Sequence, residues 1–279
     1  MNYSETHVSP SRPTLSLAGL TLPGLAPTLL VEAAADAGYD AAGVNLNQLW
    51  RTVAGDSRWF AAEIDNIAKT VSRRGVFLSH GGHLLLGALD RQSVGYVVAA
   101  MHRLKVRHVV LVADPHASSE RIEEDFSYVR ANIDEIPLLV EFAPYTGWRN
   151  LEDAMHFIET HAADRLELVV DVLHLVRSNS LPTLLARDSW PVGLIQMCDA
   201  PLKGPQLDGM HMEARGNRLD VGEGGLPLGQ IFGKLPKNAP LEVEAPCLAL
   251  RNLSPTARAV RSYQHLTTFL RSEGYLIPA

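Results

Sequence analysis

Oxygen-bearing side chains stand late in four apolar runs of the second half of the chain. The runs are LLVEF, LVVDV, LIQMCD and LEVEA, and they contribute Glu141, Asp171, Gln196 and Glu244. A strand that needs only a buried face has no use for a carboxylate, because burying an unpaired charge is costly. If the four strands are neighbours, three carboxylates meet in one place, and a divalent cation that prefers hard oxygen ligands would remove their repulsion. The four residues are therefore candidate ligands of one metal ion.

Histidine and arginine side chains near these positions could transfer protons or bind a substrate. His174 and Arg177 follow Asp171 at steps of three, and His80 and His83 frame the sequence HGGH at the end of the third apolar run. Histidine titrates near neutral pH, which suits proton transfer by His174 and substrate contacts by His80 and His83. Arg177 could bind a carboxylate or phosphate of the substrate, or could hold its loop by an ion pair.

The elements that must position these residues alternate along the chain. Apolar and β-branched runs predict eight strands, at Ser16–Gly19, Ala42–Leu46, Gly75–His80, Val109–Ala113, Leu138–Phe142, Leu168–Val172, Gly193–Met197 and Leu241–Ala245. Helical stretches lie between them, at Thr28–Ala37, Trp59–Arg73, Ser93–Lys105, Ser119–Ile133 and Asn150–His161. A last helix is expected to begin at Ser254-Pro255, an N-cap followed by proline, and to run to about Glu273. Segment 178–190 predicts only a short sixth helix, and 200–237 predicts an active-site loop with a short helix around Leu228–Phe232.

Strands that alternate with helices predict parallel strands joined by right-handed crossovers. Eight such units form a (β/α)8 TIM barrel, typically of ~250 residues, so we expect one α/β domain over residues 1–279, with residues 1–13 as a flexible N-terminal segment. A doubly wound open sheet is the rival, but AGLTLPGL does not match its glycine-rich phosphate-binding fingerprint. Barrel active sites lie at the C-terminal strand ends, where the candidate ligands stand. Glu242, on the same face as Glu244 but nearer the strand start, predicts a salt bridge at the barrel bottom.

Composition narrows the classes of partner. The formal net charge is −6, without the basic footprint of a nucleic-acid-binding protein. Two cysteines, Cys198 and Cys247, cannot form a disulfide framework and suit a reducing compartment. The apolar segment 15–31 contains two prolines and two glycines and has no cationic region before it, so it predicts neither a signal peptide nor a membrane span. We expect a cytoplasmic protein with a small-molecule partner, and neither a nucleic acid nor a membrane as partner.

The order and spacing of these motifs resemble the xylose-isomerase-like TIM-barrel superfamily. The resemblance rests on Asp171-x-x-His174-x-x-Arg177 between Glu141 and LIQMCDAP, on RLDVGEGGLPL, which is similar to a family loop with Arg followed by Pro-Gly-x-Gly, and on LEVEAP as the last strand. The superfamily includes sugar phosphate isomerases and epimerases, ketose 3-epimerases, inosose and 3-dehydroshikimate dehydratases, and endonucleases of the AP endonuclease family 2 type. The net charge and a ligand set for a single metal ion do not resemble the endonuclease branch.

The resemblance implies roles for individual residues. It assigns the four metal positions of the family to Glu141, Asp171, Gln196 and Glu244. His174 matches a substrate-side histidine, and Arg218 matches a loop arginine that binds an anion or hydroxyl of the substrate. Many isomerases and epimerases have His at the position of Gln196, and glutamine there is similar to dehydroshikimate dehydratases. Val221 stands where the family loop commonly has Pro, so the Arg218 match is incomplete.

The predicted reaction begins with enolisation of a small polyhydroxylated carbonyl compound. One divalent metal ion would acidify the C–H beside a bound carbonyl. Mn²⁺ or Mg²⁺ is favoured over Co²⁺ or Zn²⁺. In an isomerase or epimerase, Glu141 and Glu244 move the proton from opposite faces, whereas in a dehydratase His174 carries the proton and a hydroxyl is expelled. A non-catalytic barrel that serves as a binding or accessory subunit is the alternative of another class, and the intact ligand set speaks against it. Barrels of this kind commonly pair, so we expect a homodimer or homotetramer.

Overall fold

The computed structural model describes residues 12–133 and 135–275 of the chain. The described strands are β1 (Leu15–Ala18), β2 (Ala41–Gly43), β3 (Phe77–Leu78), β4 (His80–Leu86), β5 (His108–Ala113), β6 (Leu138–Glu141), β7 (Glu167–Asp171), β8 (Val192–Met197) and β9 (Leu241–Val243). The α-helices are α1 (Pro27–Ala37), α2 (Leu46–Thr52), α3 (Ser57–Arg74), α4 (Arg91–Leu104), α5 (Ser119–Asn132), α6 (Leu151–Thr160), α7 (Val172–Arg177), α8 (Leu181–Ala186), α9 (Leu207–Gly216), α10 (Leu228–Lys234) and α11 (Pro255–Ser272). Residues 1–11 of the predicted flexible segment lie outside the described ranges. Over the described ranges, no helix combines the length and apolar character needed to cross a membrane.

All strand pairs are parallel, and the strand order closes on itself to form a barrel. The order is β3-β2-β1-β9-β8-β7-β6-β5-β4, so that β3 and β4 stand at its two ends. Only Ser79 separates these two strands along the chain. The Ser79 N–H donates to the Ala42 carbonyl, and the Ser79 carbonyl accepts from the His108 N–H, both at 3.0 Å. The third strand of the barrel is therefore β3 and β4 together, and the predicted TIM barrel is confirmed.

The predicted end of the third strand is wrong. The sequence interpretation ended it at His80, but β4 continues to Leu86 and pairs with β5 as far as Ala113. The register shifts between His80 and His83, and Gly82 has a φ of +97°, a conformation that glycine adopts without strain. The two glycines of HGGH thus form an irregularity inside a strand rather than a turn after it.

Helix boundaries near the strand ends also differ from the predictions. The second strand ends at Gly43, and α2 begins at Leu46 because Asn45 caps it by accepting from the Gln48 N–H at 2.9 Å. The predicted loop 200–237 contains α9 in addition to α10, and α9 was not predicted. The last helix begins as predicted, with the Ser254 side chain accepting from the Ala257 N–H.

An apolar layer lies under the predicted ligands inside the barrel. Four fully buried side chains from neighbouring strands form one cluster, namely Val110, Leu139, Val169 and Leu194. The last three precede Glu141, Asp171 and Gln196 by two positions, and residues two apart in a strand share a face. The barrel interior is therefore packed beneath the polar cluster, as in other TIM barrels, and the ligand-bearing ends form the floor of any pocket above.

Candidate active site

The four predicted ligands meet at the C-terminal ends of four consecutive strands. Glu141 ends β6 and Asp171 ends β7, where Asp171 is the register partner of Gln196 on β8. Glu244 directly follows β9, and its N–H donates to the Met197 carbonyl at 3.0 Å. All four side chains are buried. The structure thus brings together the residues that the sequence analysis proposed as one site.

Asp171 has a structural task that explains the charge in its apolar run. It is the N-cap of α7, and its Oδ1 accepts from the Leu173 N–H at 2.8 Å and the His174 N–H at 3.2 Å. A carboxylate suits this place because the N-terminus of a helix carries free N–H donors and positive dipole charge. The cap leaves Oδ2 directed toward the other members of the cluster and sets the position of His174 one turn away.

Arg218 lies inside the cluster and is only 1% exposed. Its Nη1 donates to Asp171 Oδ2 at 2.6 Å, and its Nη2 is 3.0 Å from Glu244 Oε2. Burial opposes its charge, but the two carboxylates outweigh burial and raise the pKa of Arg218 above its usual value. The guanidinium therefore contacts two of the four proposed ligands directly.

Two histidines flank Glu141 and differ in their expected charge. The Nε2 atom of His83 is 2.7 Å from Glu141 Oε2, and that of His174 is 3.9 Å from Glu141 Oε1. Burial opposes the imidazolium of His83, but the charge of Glu141 outweighs it and raises the pKa to about 9. For His174 burial prevails, and its pKa falls below the ordinary value. His174 is thus a neutral imidazole at pH 7, able to accept or pass on a proton.

The carboxyl groups of the cluster also differ in protonation. Burial, together with the charges of Asp171 and Glu141, raises the pKa of Glu244 to about 8 despite Arg218. Burial acts on Asp171 and Glu141 as well, but Arg218 and the histidines outweigh it and lower their pKa values. One protonated and two ionised carboxyl groups at one point form an arrangement suited to acid–base chemistry.

The donor atoms of the cluster fit a divalent cation. Single ligand atoms of Glu141, Asp171 and His174 lie within 4.8 Å of one another. Gln196 Oε1 is buried and has no hydrogen-bond partner in the described part of the chain, whereas Glu141 Oε2 has the Nε2 atom of His83 at 2.7 Å. A buried oxygen without a partner is rare and costly, and a cation would satisfy Gln196 Oε1. Carboxylate and amide oxygens are the ligands that hard cations prefer.

Arg177 binds a loop and a helix rather than facing the cluster. Its Nε and Nη2 atoms donate to both carboxylate oxygens of Glu213 on α9, at 2.8 and 2.7 Å. The remaining contacts are with the carbonyls of Pro201, at 2.7 Å, and Leu202, at 3.2 Å. The ion-pair alternative describes these contacts, and we no longer assign Arg177 to substrate binding.

His80 also differs from its predicted role as a substrate contact. It is 4% exposed, and its Nε2 lies 2.9 Å from Glu242 Oε2 while its Nδ1 accepts from the Gly82 N–H. Both ring nitrogens are therefore engaged in the barrel interior, and we do not retain His80 as a substrate contact. Glu242 was predicted to make a salt bridge, and it makes a hydrogen bond with His80 instead, because His80 Nδ1 accepts from Gly82 and leaves the ring proton on Nε2.

Tyr145 and His211 extend the cluster. Tyr145 follows Glu141 closely in the sequence, where it could wall the pocket or pack at the barrel rim, whereas His211 was not identified from the sequence. The Tyr145 ring packs edge-to-face against His174 at 5.5 Å and against His211 at 5.3 Å, and its hydroxyl is 3.4 Å from His174 Nε2. His211 lies on α9, within the segment 200–237 that the sequence predicted as an active-site loop, but the helix that carries it was not predicted.

The sequence and fold of the chain match one known family. The family described as "Xylose isomerase-like TIM barrel" matches residues 31–268. The chain belongs to the xylose isomerase-like TIM-barrel family. No curated protein matches this family member.

Solved structures of other proteins share the fold of this xylose isomerase-like barrel. The IolI protein, whose structure contains a zinc atom, has a TM-score of 0.73 and 17% identity, over 95% of this chain and all of the other. A probable 3-DHS dehydratase, AsbF from Bacillus anthracis, has a TM-score of 0.67 and 11% identity, over 91% and 98%. D-allulose 3-epimerase from Methylomonas sp., in complex with D-allulose, has a TM-score of 0.66 and 14% identity, over 95% and 98%. At these identities the similarity establishes the fold.

Proposed function

We propose that the protein is a divalent-metal-dependent isomerase or epimerase that enolises a small polyhydroxylated carbonyl compound. The observation that carries this proposal is the convergence of four oxygen-bearing side chains, with Gln196 Oε1 buried and lacking a hydrogen bond to the described residues. The structural neighbours that act on D-allulose or contain zinc support the same reading.

The ligands of the cation would be Glu141, Asp171, Gln196 and Glu244. The cation would supply Lewis acidity toward a carbonyl and a neighbouring hydroxyl of the substrate. We favour Mn²⁺ or Mg²⁺ over Co²⁺ or Zn²⁺. Arg218 is 1% exposed and engaged with Asp171 and Glu244, so it would hold these two ligands rather than contact the substrate as the sequence predicted. His83 would contact the substrate from β4, where its side chain is 34% exposed.

The two glutamates would carry the proton-transfer steps. Glu141 would take a proton from the carbon beside the carbonyl, and Glu244 would deliver one. Because the two side chains come from β6 and from the end of β9, they approach the bound substrate from different sides. Removal on one face and return on the other inverts the carbon, and return to the neighbouring carbon isomerises the substrate.

Dehydration is the second candidate, favoured by His174 and Gln196. His174 is a neutral imidazole 3.9 Å from Glu141 Oε1 and 3.4 Å from the Tyr145 hydroxyl, so it could take up the proton that Glu141 removes and pass it to a departing hydroxyl group, which leaves as water. Gln196 is the residue that resembles dehydroshikimate dehydratases, and one neighbour is a probable 3-DHS dehydratase. In this version Glu141 still removes the first proton.

A panel of polyhydroxylated ketones and cyclic hydroxy-ketones separates the candidates. The purified protein is incubated with Mn²⁺ and each compound in heavy water, and ultraviolet absorbance and deuterium incorporation are followed. Epimerisation or isomerisation incorporates deuterium beside the carbonyl and leaves the spectrum nearly unchanged, whereas dehydration creates a conjugated chromophore. Deuterium incorporation without either product type would show enolisation alone, and the absence of exchange across the panel would contradict the proposal.

A further inference from the structure

A buried polar cluster inside the barrel includes one of the proposed metal ligands, Gln196. We call it the Glu242 cluster, and it consists of Ser16, Ser79, His80, Gln196 and Glu242. Glu242 is fully buried, and its Oε1 accepts from Ser16 and Ser79, both at 2.8 Å. Its Oε2 accepts from His80 Nε2 at 2.9 Å and from Gln196 Nε2 at 3.2 Å. Neither the proposed metal-binding set nor the proton-transfer steps include Glu242.

Every contact of Glu242 in the cluster is made by a donor. His80 Nδ1 accepts from the Gly82 N–H at 3.1 Å, so the ring proton sits on Nε2 and is donated to Glu242. The serine hydroxyls are free to rotate and can donate to Oε1. A carboxylate can only accept hydrogen bonds. Glu242 therefore accepts a hydrogen bond from each of its four partners and donates none.

This arrangement determines that the NH2 group of the Gln196 amide, and not its oxygen, faces Glu242. Nε2 lies 3.2 Å from Glu242 Oε2 and 3.4 Å from Glu244 Oε1. The reverse orientation would press the amide oxygen against Glu242 Oε2, which can only accept, so the hydrogen bond to Glu242 defines the orientation. The amide oxygen is left on the other side, buried and without a hydrogen bond to the described residues.

We propose that Glu242 is a positioning residue that holds the amide of Gln196 so that its oxygen, and not its NH2 group, faces the metal ion. This inference rests on the proposed metal-dependent function. A glutamine needs such a residue because its two amide ends are nearly equal in size and only the oxygen can bind a cation. Partners that orient a ligand in this way commonly matter for metal affinity almost as much as the ligands do.

The barrel wall leaves space for the Glu242 cluster at Gly43. A Cβ atom at this position would lie 2.3 Å from His80 Nε2 and 2.6 Å from Glu242 Oε1. Any side chain there would displace both members of the pair. The glycine thus lets the cluster approach the backbone of β2.

Two substitutions of Glu242 separate positioning from charge. Glu242→Met removes the acceptor, and we expect the dissociation constant for Mn²⁺, measured by calorimetry, to rise by about 10–100-fold. Glu242→Gln keeps an amide oxygen that can accept from Gln196 and His80, while its NH2 group can donate to the serine hydroxyls. We expect this variant to bind Mn²⁺ within about threefold of the wild type, because only a hydrogen bond to a neutral acceptor replaces one to a charged acceptor.

The matched control is Glu167→Met, which removes a carboxylate at the start of β7, away from Gln196, and should leave the Mn²⁺ affinity unchanged. Circular dichroism and thermal unfolding establish that each variant is folded at the titration temperature. If Glu242→Met and Glu242→Gln weakened Mn²⁺ binding equally, Glu242 would act through its charge. If Glu242→Met bound Mn²⁺ as tightly as the wild type, Glu242 would have no effect on the site. Either result overturns the inference.

A second measurement needs no metal and no substitution of Glu242. In ¹⁵N-labelled, metal-free protein, the side-chain NH2 signal of Gln196 is assigned by its absence from the spectrum of Gln196→Met. We expect its protons to exchange with heavy water at least about 100-fold more slowly than those of the exposed Gln92. Exchange as fast as that of Gln92 would contradict a held amide. If the wild type binds no Mn²⁺ but the amide is protected, the proposed function fails while the orientation of Gln196 stands.

Discussion

The negative charges of the carboxylates in the cluster are balanced by the protein's own cationic side chains. Arg218 contacts Asp171 and Glu244, and His83 lies 2.7 Å from Glu141. A carboxylate oxygen can accept more than one contact because each has two lone pairs. Arg218 and a metal ion can therefore share Asp171 and Glu244, and the arginine keeps the carboxylates from repelling one another when the cation is absent.

Replacing either proton-transfer carboxylate should abolish turnover. Glu141→Gln and Glu244→Gln each keep the side-chain size but remove the proton acceptor and the proton donor respectively, and a positioned general acid or base contributes on the order of 10²–10⁴-fold. We expect kcat/KM to fall by that amount for the substrate found in the panel, with thermal unfolding still cooperative. Glu167→Gln is the control and should retain full activity. If either active-site variant turned over at the wild-type rate, the assignment of the proton-transfer residues would be wrong.

Removing Arg218 should destabilise the metal-free protein more than the metal-loaded one. Arg218→Met leaves Asp171 buried without its 2.6 Å partner, and breaking a buried ion pair costs about 3–5 kcal/mol. Saturating Mn²⁺ would replace part of the lost positive charge, so the difference in unfolding free energy from the wild type should shrink. Urea unfolding with and without Mn²⁺ measures both values, and Arg215→Met on the exposed side of α9 is the control. An equal loss in both conditions would argue against a cation next to Asp171.

Among the elements, strand ends were predictable and the short helices were not. The strands that end in Glu141 and Asp171 could be predicted because a buried strand requires an apolar run, and the polar residue at the end of each run marks where the strand ends. Helix α9 has no side-chain hydrogen bond at its N-cap, Gln206, and contains two glycines, so local sequence does not favour it. The Arg177–Glu213 pair supplies a stabilising contact instead, and that contact spans 36 positions.

The start of β1 depends on an ion pair whose strength varies with pH. Asp40 accepts from Arg12 at 2.5 and 2.8 Å and from the Leu15 N–H at 2.9 Å. Burial opposes the charged carboxylate, but these donors outweigh it and hold the pKa of Asp40 below its usual value. A carboxyl group with a lowered folded-state pKa stabilises the fold above its unfolded pKa of about 3.9, and this contribution is lost as pH falls.

Asp40→Asn should therefore destabilise the protein at neutral pH by roughly 1–2 kcal/mol, since hydrogen bonds to a charged group are lost or weakened. The difference from the wild type should narrow as pH falls through 4 and below, where the wild-type carboxyl group becomes protonated as well. Urea unfolding at several pH values measures the difference. A constant difference across this range would show that the charge of Asp40 contributes nothing.

For the molecule as a whole, the alternation of strands and helices was sufficient to predict the barrel, and the barrel predicted where the site lies. The partners inside the site were beyond prediction, because they join residues far apart in the chain. Arg218 and Asp171 are separated by 47 positions, and Gln196 and Glu242 by 46. The first pair depends on the way the segment after β8 crosses the mouth of the barrel, and the second depends on the register of β8 with β9. No local periodicity records either. The predicted homodimer or homotetramer remains a prediction that analytical ultracentrifugation can test.

The central claim is that the closed barrel holds one divalent cation at the ends of β6 to β9. Its most direct test is the metal content of the full chain, measured by elemental mass spectrometry after loading with Mn²⁺ and dialysis. The account predicts about one equivalent per chain in the wild type and almost none in the Glu141→Gln, Asp171→Asn double variant, provided that the variant remains folded. A wild-type protein that retains no cation, or a double variant that retains as much as the wild type, would contradict it.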